Sequence, residues 1–337
     1  MQSDKVFITT TVDSVNELSN GGTFTAIDEN NIDAVIFSKE DLTLNGSGTL
    51  TIDSPAGHGI VSKGSLTITS GSYEISCASH ALSSNDDIGI ANGTFTIVSG
   101  KDGINAGTEL LIAGGDFQVA SGDDAFHAEE ILEVTAGNIQ VTESYEGLEA
   151  LHILVTGGEI SINASDDGLN AAGGADASGM MGEAAGMFGG GMSASSDGSI
   201  VIQGGTIHVT AYGDGIDANG TVEITGGHIT VCGPVQGDTA TLDYDVSGVI
   251  TGGTFIGTGA AGMAQIFSSS SQGVISVRAG NQSAGTKVSL LDDQGNEILT
   301  CETELDFSVV ILSSPEIVTG ESYTLTVGTA SQTFTAS

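Results

Sequence analysis

GTFTIVSGKDGINA (residues 93–106), GEISINASDDGLNA (158–171) and GTIHVTAYGDGIDA (205–218) are one phrase written three times. Each opens on a glycine, alternates apolar and polar residues, and ends on an acid, a glycine and an aliphatic residue. The opening glycine recurs at Gly71, Gly93, Gly115 and Gly137, 22 residues apart, then at Gly158, Gly205, Gly227 and Gly253. Behind it the alternation holds as Tyr73/Ile75, Phe95/Ile97, Phe117/Val119, Ile139/Val141, Ile160/Ile162, Ile207/Val209 and Ile229/Val231. A short apolar step precedes it, as in Leu66-Thr67-Ile68, and another follows the acid-glycine pair at Ile104, Phe126, Leu148, Leu169 and Ile216. Period-two alternation in short pieces, punctuated by Gly, Asn and Asp, spells strands and turns rather than helices. Self-similarity at this period marks a solenoid. Leucine-rich repeats have a similar length, but their LxxLxL core is missing. Three strands per repeat therefore predict an all-β fold, a parallel β-helix of roughly ten rungs, right-handed by the crossover rule. At about 4.8 Å per rung the rod is about 50 Å long.

Residues 41–272 carry the rungs. Residues 1–40, with strand-like stretches at Val6–Val12 and Ala34–Ser38, are expected to close one end, and residues 273–337 to form a β cap on the other. The cap includes a hairpin turning at Asp293-Gln294-Gly295-Asn296 and covers an otherwise open edge. One rung is interrupted at 172–199 by a Gly/Met-rich stretch. This reads as a surface loop, or as an adaptable lid in which Met180, Met181, Met187, Phe188 and Met192 repack over a ligand.

Six basic residues stand against 43 acidic ones, a formal charge of −37. Nucleic acid and anionic membranes would be repelled, so the partner is a cation or something a cation can bridge. Cys77, Cys232 and Cys301 show no zinc spacing and read as free thiols. No apolar run reaches the length of a membrane span.

Nine residues after each opening glycine stand His80, Asp102, Asp124, Glu146, Asp167 and Asp214, with Gln236 ending the row; three further on stand Ser83, Asn105, His127, Glu149, Asn170 and Asp217. A constant offset in a solenoid is a column up one side of the rod. Carboxylates about 4.8 Å apart repel by roughly 3–4 kcal/mol at an effective dielectric near 20. A column of five acids therefore calls for a cation between them. Calcium takes six to eight oxygen ligands and suits the set better than magnesium; glycine beside each acid would let turn carbonyls approach the ion. The plainer alternative is a solvated acidic edge. His58 and His80 extend the column and read as exposed turn residues, whereas His127 sits within it. His152, His208 and His228 alternate with inward residues and should face outward.

The GG-x-[IV]-x-[IV] rungs with DG-[IL]-N turns, together with TLDYD (241–245), Gly262-Met263 and SSPEIVTGESY (313–323), resemble a family of cell-surface carbohydrate-binding proteins of clostridia and related bacteria. The resemblance implies a calcium-loaded β-helix, similar in fold to the family 9 polysaccharide lyases, that binds cellulose-like and polygalacturonate-like polymers. Carried over by position, the calcium ligands would be Asp102, Asn105, Asp123, Asp124, Glu146, Glu149, Asp166, Asp167, Asn170, Asp214 and Asp217. The chain departs from the pattern at Ala125, His127 and the Glu146/Glu149 pair. The polar start Met1-Gln2-Ser3-Asp4 fits either a cytosolic protein or a sequence cut after a secretion signal. Members of the family are exported, so the second is preferred and an extracellular or surface-attached protein is expected, acting as a monomer.

A calcium-dependent lyase needs a basic residue beside the metal. Lys101, directly before Asp102, is the one serious candidate, and a salt-bridged surface lysine is the commoner state. Non-catalytic binding of an acidic glycan is the preferred reading, with Tyr145 and Tyr212 as stacking platforms. A structural rod stapled by calcium is the third.

Overall fold

The computed structural model describes residues 5–21, 24, 31–171 and 197–337. Among these every regular element is a strand, and the parallel strands wind into a β-solenoid of about ten turns. Each turn contributes to three faces. The first face stacks ten strands in parallel, from Val15–Ser19 to Thr254–Gly259. The second takes the short strands that follow the acid turn, such as Leu82–Ser84 and Ile104–Ala106, and the third takes strands such as Ile88–Ile90 and Glu109–Ile112. In two turns the chain runs through the second and third faces as one strand, Phe126–Val134 and Leu148–Val155.

Registry is residue for residue. Phe95 pairs with Tyr73 on one side and Phe117 on the other, and Ile97 with Ile75 and Val119. Inward positions thus become continuous columns of like side chains, each almost fully buried. The rings of Tyr73, Phe95 and Phe117 stack at 5.1 and 4.6 Å between centroids. Fully burying one such aromatic contributes about 1.5–3 kcal/mol. The opening glycines explain themselves: all eight, Gly71 to Gly253, have positive φ, a left-handed corner that residues with a Cβ rarely adopt.

One turn keeps the pattern by compensation. Strand Asn138–Ser144 carries a register shift on the first face, and Tyr145 alone then separates Ser144 from Glu146. In the next turn two residues, Ser165 and Asp166, separate Ala164 from Asp167, so the acid stays in its column.

The solenoid begins earlier than residue 41. Lys5–Thr10, Val15–Ser19 and Ala34–Ser38 pair in parallel with Asp41–Gly46, Thr49–Ser54 and His58–Ser62, one strand on each face. At the other end, Phe307–Ser313 runs antiparallel to Thr254–Gly259 and covers that edge. A four-stranded antiparallel sheet then forms a second core around Leu290, Leu312 and Leu325. Its hairpin joins Lys287–Leu291 to Glu297–Glu302, with the Asp292 carboxylate accepting from the amides of Gln294 and Asn296. The Gly/Met-rich stretch, with the five residues read as a lid, lies outside the described residues up to 196, and Ser199 already begins a strand. No helix of the described chain is long and apolar enough to cross a membrane.

Candidate functional site

Where the first face hands over to the second, each turn places its acid-glycine pair at one edge of the rod. The peptide N–H after each acid donates to the carbonyl of the acid one turn on: Gly103 to Asp124 at 2.9 Å, Ala125 to Glu146 at 3.0 Å, Gly147 to Asp167 at 3.0 Å and Gly168 to Asp214 at 2.9 Å. Each of those carbonyls thus accepts one bond within the stack. The glycines have a packing role: a Cβ on Gly168 would stand 2.2 Å from Val209 Cγ1 and 2.5 Å from the Gly215 carbonyl oxygen. The second column is in register too, running Ser83, Asn105, His127, Glu149, Asn170 and Asp217.

Beyond Asp217 the column continues to Asp243. Gly215 donates to Ala240, so Ala240 takes the next place in the first column; Gln236, expected there, is exposed in a turn that four extra residues have lengthened. The signal was present in Leu242-Asp243, which repeats Ile216-Asp217.

Among the described residues, side chains converge in three groups whose ligand atoms lie within 4.8 Å of one another: Asp102 with Asp123 and Asp124, Asp124 with His127 and Glu149, and Asp167 with Asp214 and Asp217. Glu146 and Asp166 fall outside these groups of acids and histidine, and Asn105 and Asn170 stand in register beside them. Asn105 Nδ2 donates to Asp102 Oδ2 at 2.6 Å, and Asn170 Nδ2 to Glu146 Oε2 at 2.9 Å. Gly213 is pressed between two carboxylates, since a Cβ there would meet the Oδ1 atoms of Asp166 and Asp167 at 2.3 and 2.4 Å.

Burial makes these charges costly. It is the main cause that raises Asp167 to about 9, helped by the charges of Asp214, Asp166 and Glu146, and it raises Asp214 to about 7. Asp124 rises to about 8 through burial and its contacts with Glu149. Asp102 moves the other way, because hydrogen bonds from His80 and Asn105 outweigh burial. Burial alone would lower the His127 imidazole, yet its bonds to Asp124 and Glu149 carry it up to about 11. A divalent cation would neutralise such groups without any need for protons. Asn170 also fits that role: it is 1 % exposed, and its Oδ1 has no hydrogen-bond partner among the described residues. The acidic clusters could therefore hold metal ions.

The histidines are more engaged than the sequence indicated. His80 Nδ1 is 2.8 Å from Asp102 Oδ2, and its half-buried ring stacks on His58 at 5.0 Å. Neither is an exposed turn residue. His152 and His208 face outward, bonded to Ser199 and Glu304 respectively, and His228 is exposed.

Tyr145 is half-buried between Asp123 and Asp166 in the stack, its N–H donating to Asp123 and its carbonyl accepting from Asp166. Tyr212 is 48 % exposed, two residues before Asp214. Lys101 is exposed and occupies the place that Asp123 holds one turn on, the hydroxyls of Ser99 and Ser121 bonding their respective carbonyls. Its charge is felt at Asp123.

Searches of curated proteins and of solved structures returned no match. A family model described as carbohydrate-binding domain-containing protein matches residues 1–189, more than half of the 337-residue chain. That span takes in the first two acidic groups and the turn that opens the third, and the chain belongs to this carbohydrate-binding family.

Proposed function

We propose that the chain is a non-catalytic module that binds acidic, plant cell-wall type polysaccharide through calcium ions, working as a monomer outside the cell or on its surface. One observation carries the reading: two columns of oxygen-bearing side chains run in register up one edge, and among the described residues their acids, joined by His127, gather in groups of three whose ligand atoms lie within 4.8 Å of one another. An all-oxygen set such as Asp167, Asp214 and Asp217, with Asp166 alongside, matches the ligand preference of calcium. Ions at intervals along that edge would reverse the local sign of a protein carrying −37. A uronate carboxylate could then complete an open coordination position, with Tyr212 and the accessible part of Tyr145 meeting sugar rings. Soluble acidic polymers suit this edge better than crystalline cellulose, which favours a flat aromatic platform, and the chain has no Trp.

The test is a pull-down on polygalacturonate with calcium and with EDTA. Retention in calcium that is lost in EDTA supports the reading; equal retention in both, or none in either, overturns it. A second reading, a calcium-dependent lyase with Lys101 as base, is favoured by the place of that exposed lysine in the same column as Asp123. Calcium-dependent growth of unsaturated-product absorbance on polygalacturonate, abolished by Lys101→Ala, would establish it in place of simple binding.

A further inference from the structure

We propose that Asp124, His127 and Glu149 form a site for one divalent transition-metal ion of the zinc class, chemically separate from the all-oxygen group at Asp167, Asp214 and Asp217. Asp124 and His127 come from one turn of the solenoid and Glu149 from the next, where it pairs directly with His127. All three are buried, at 8, 9 and 5 % exposure. His127 Nδ1 lies 3.4 Å from Asp124 Oδ2 and is hydrogen-bonded to Glu149 Oε2. Ligands held 2.0–2.2 Å from a tetrahedral ion stand about 3.4 Å apart, so the Asp124–His127 spacing is already that of a bound metal. Glu149 needs only to draw back along its side chain for an ion to enter.

The nitrogen decides which ion. Calcium is bound through oxygens, whereas an imidazole suits zinc, nickel, copper or iron. On the far side of the ring, Glu129 Oε1 stands 3.8 Å from Nε2. An ion entering between the two carboxylates would take the place of the Nδ1 proton now shared with Glu149, leaving the remaining ring proton on Nε2, on the side that faces Glu129. Three protein ligands leave a fourth position open to water or to a carboxylate of a bound glycan. This inference does not depend on calcium at the other group, nor on glycan binding.

The whole chain, stripped with EDTA and returned to buffer with a large excess of calcium, is titrated with zinc by calorimetry. One equivalent of zinc is expected to bind. His127→Gln should weaken it at least 100-fold, and Asp167→Asn should leave it unchanged. Should His127→Gln fail to fold, side-chain 15N spectra of the wild type decide, because zinc must shift the Nδ1 resonance of His127. No zinc uptake above calcium, unchanged affinity in folded His127→Gln, or a His127 ring that stays doubly protonated at saturating zinc each overturns the proposal. The last result would mean that an imidazolium alone holds the two carboxylates together.

Discussion

At Gly168 a methyl group would meet both Val209 Cγ1 and the Gly215 carbonyl oxygen well inside contact distance. Neither can move without disturbing the stack, so Gly168→Ala should cost about 1–3 kcal/mol, read from urea unfolding. Gly89 is the control: nothing lies within 4 Å of an added Cβ, and Gly89→Ala should be neutral or stabilising by up to about 1 kcal/mol. Titration belongs to this scale as well. With Asp167 raised to about 9 and Asp214 to about 7, the metal-free folded chain holds protons that the unfolded chain, titrating near ~3.9, releases. Folding takes up protons in that window, so stability is greatest at the acid side and falls as pH rises through the folded values. Melting in EDTA should therefore occur at lower temperature at pH 8 than at pH 5, and saturating calcium should remove that trend. A flat profile in EDTA would mean that these carboxylates are better solvated than their burial indicates.

Strands transmit the repeat. Phe95 stacks on Tyr73 and Phe117, so Phe95→Ala opens a void in the middle of a column and should cost about 3–5 kcal/mol in unfolding experiments. A substitution at outward Thr96, in the same strand, should change stability by less than about 0.5 kcal/mol. The same repeat made the acid columns readable, because equal offsets in paired strands must stack. Reading by offset failed where a turn changed length: between Cys232 and Leu242 four extra residues moved Gln236 out of the column and put Ala240 in. It survived at Asn138–Ser144 because an irregular strand and a shortened turn cancelled.

Over the whole molecule, the stacked edge makes metal and stability inseparable. If ions sit between the turns, EDTA should lower the melting temperature and calcium should restore it, by scanning calorimetry; an unchanged midpoint would leave the columns as a solvated acidic edge. The cap contributes differently. Phe307–Ser313 covers the last parallel strand, and Glu304 ties back to the first face through His208 at 3.0 Å and through the Thr210 hydroxyl. Removing residues 273–337 should expose the edge at Thr254–Gly259 and drive self-association, visible by light scattering at micromolar concentration.

The sequence by itself determined the solenoid, its inward columns and the edge on which the acids stand, because a period of 22 residues with fixed offsets admits one way of stacking. It also placed Asp124 and Glu149 one turn apart. Which neighbours actually meet was decided only by tertiary structure. Side-chain direction within a turn is invisible to offset counting, so His127 bridging Asp124 and Glu149, His80 holding Asp102, and Asn105 and Asn170 bracing carboxylates with their amide nitrogens appeared only in three dimensions. The physical reason is that repeats fix the backbone, whereas hydrogen bonding between adjacent turns chooses the rotamers that give an acidic column its chemistry.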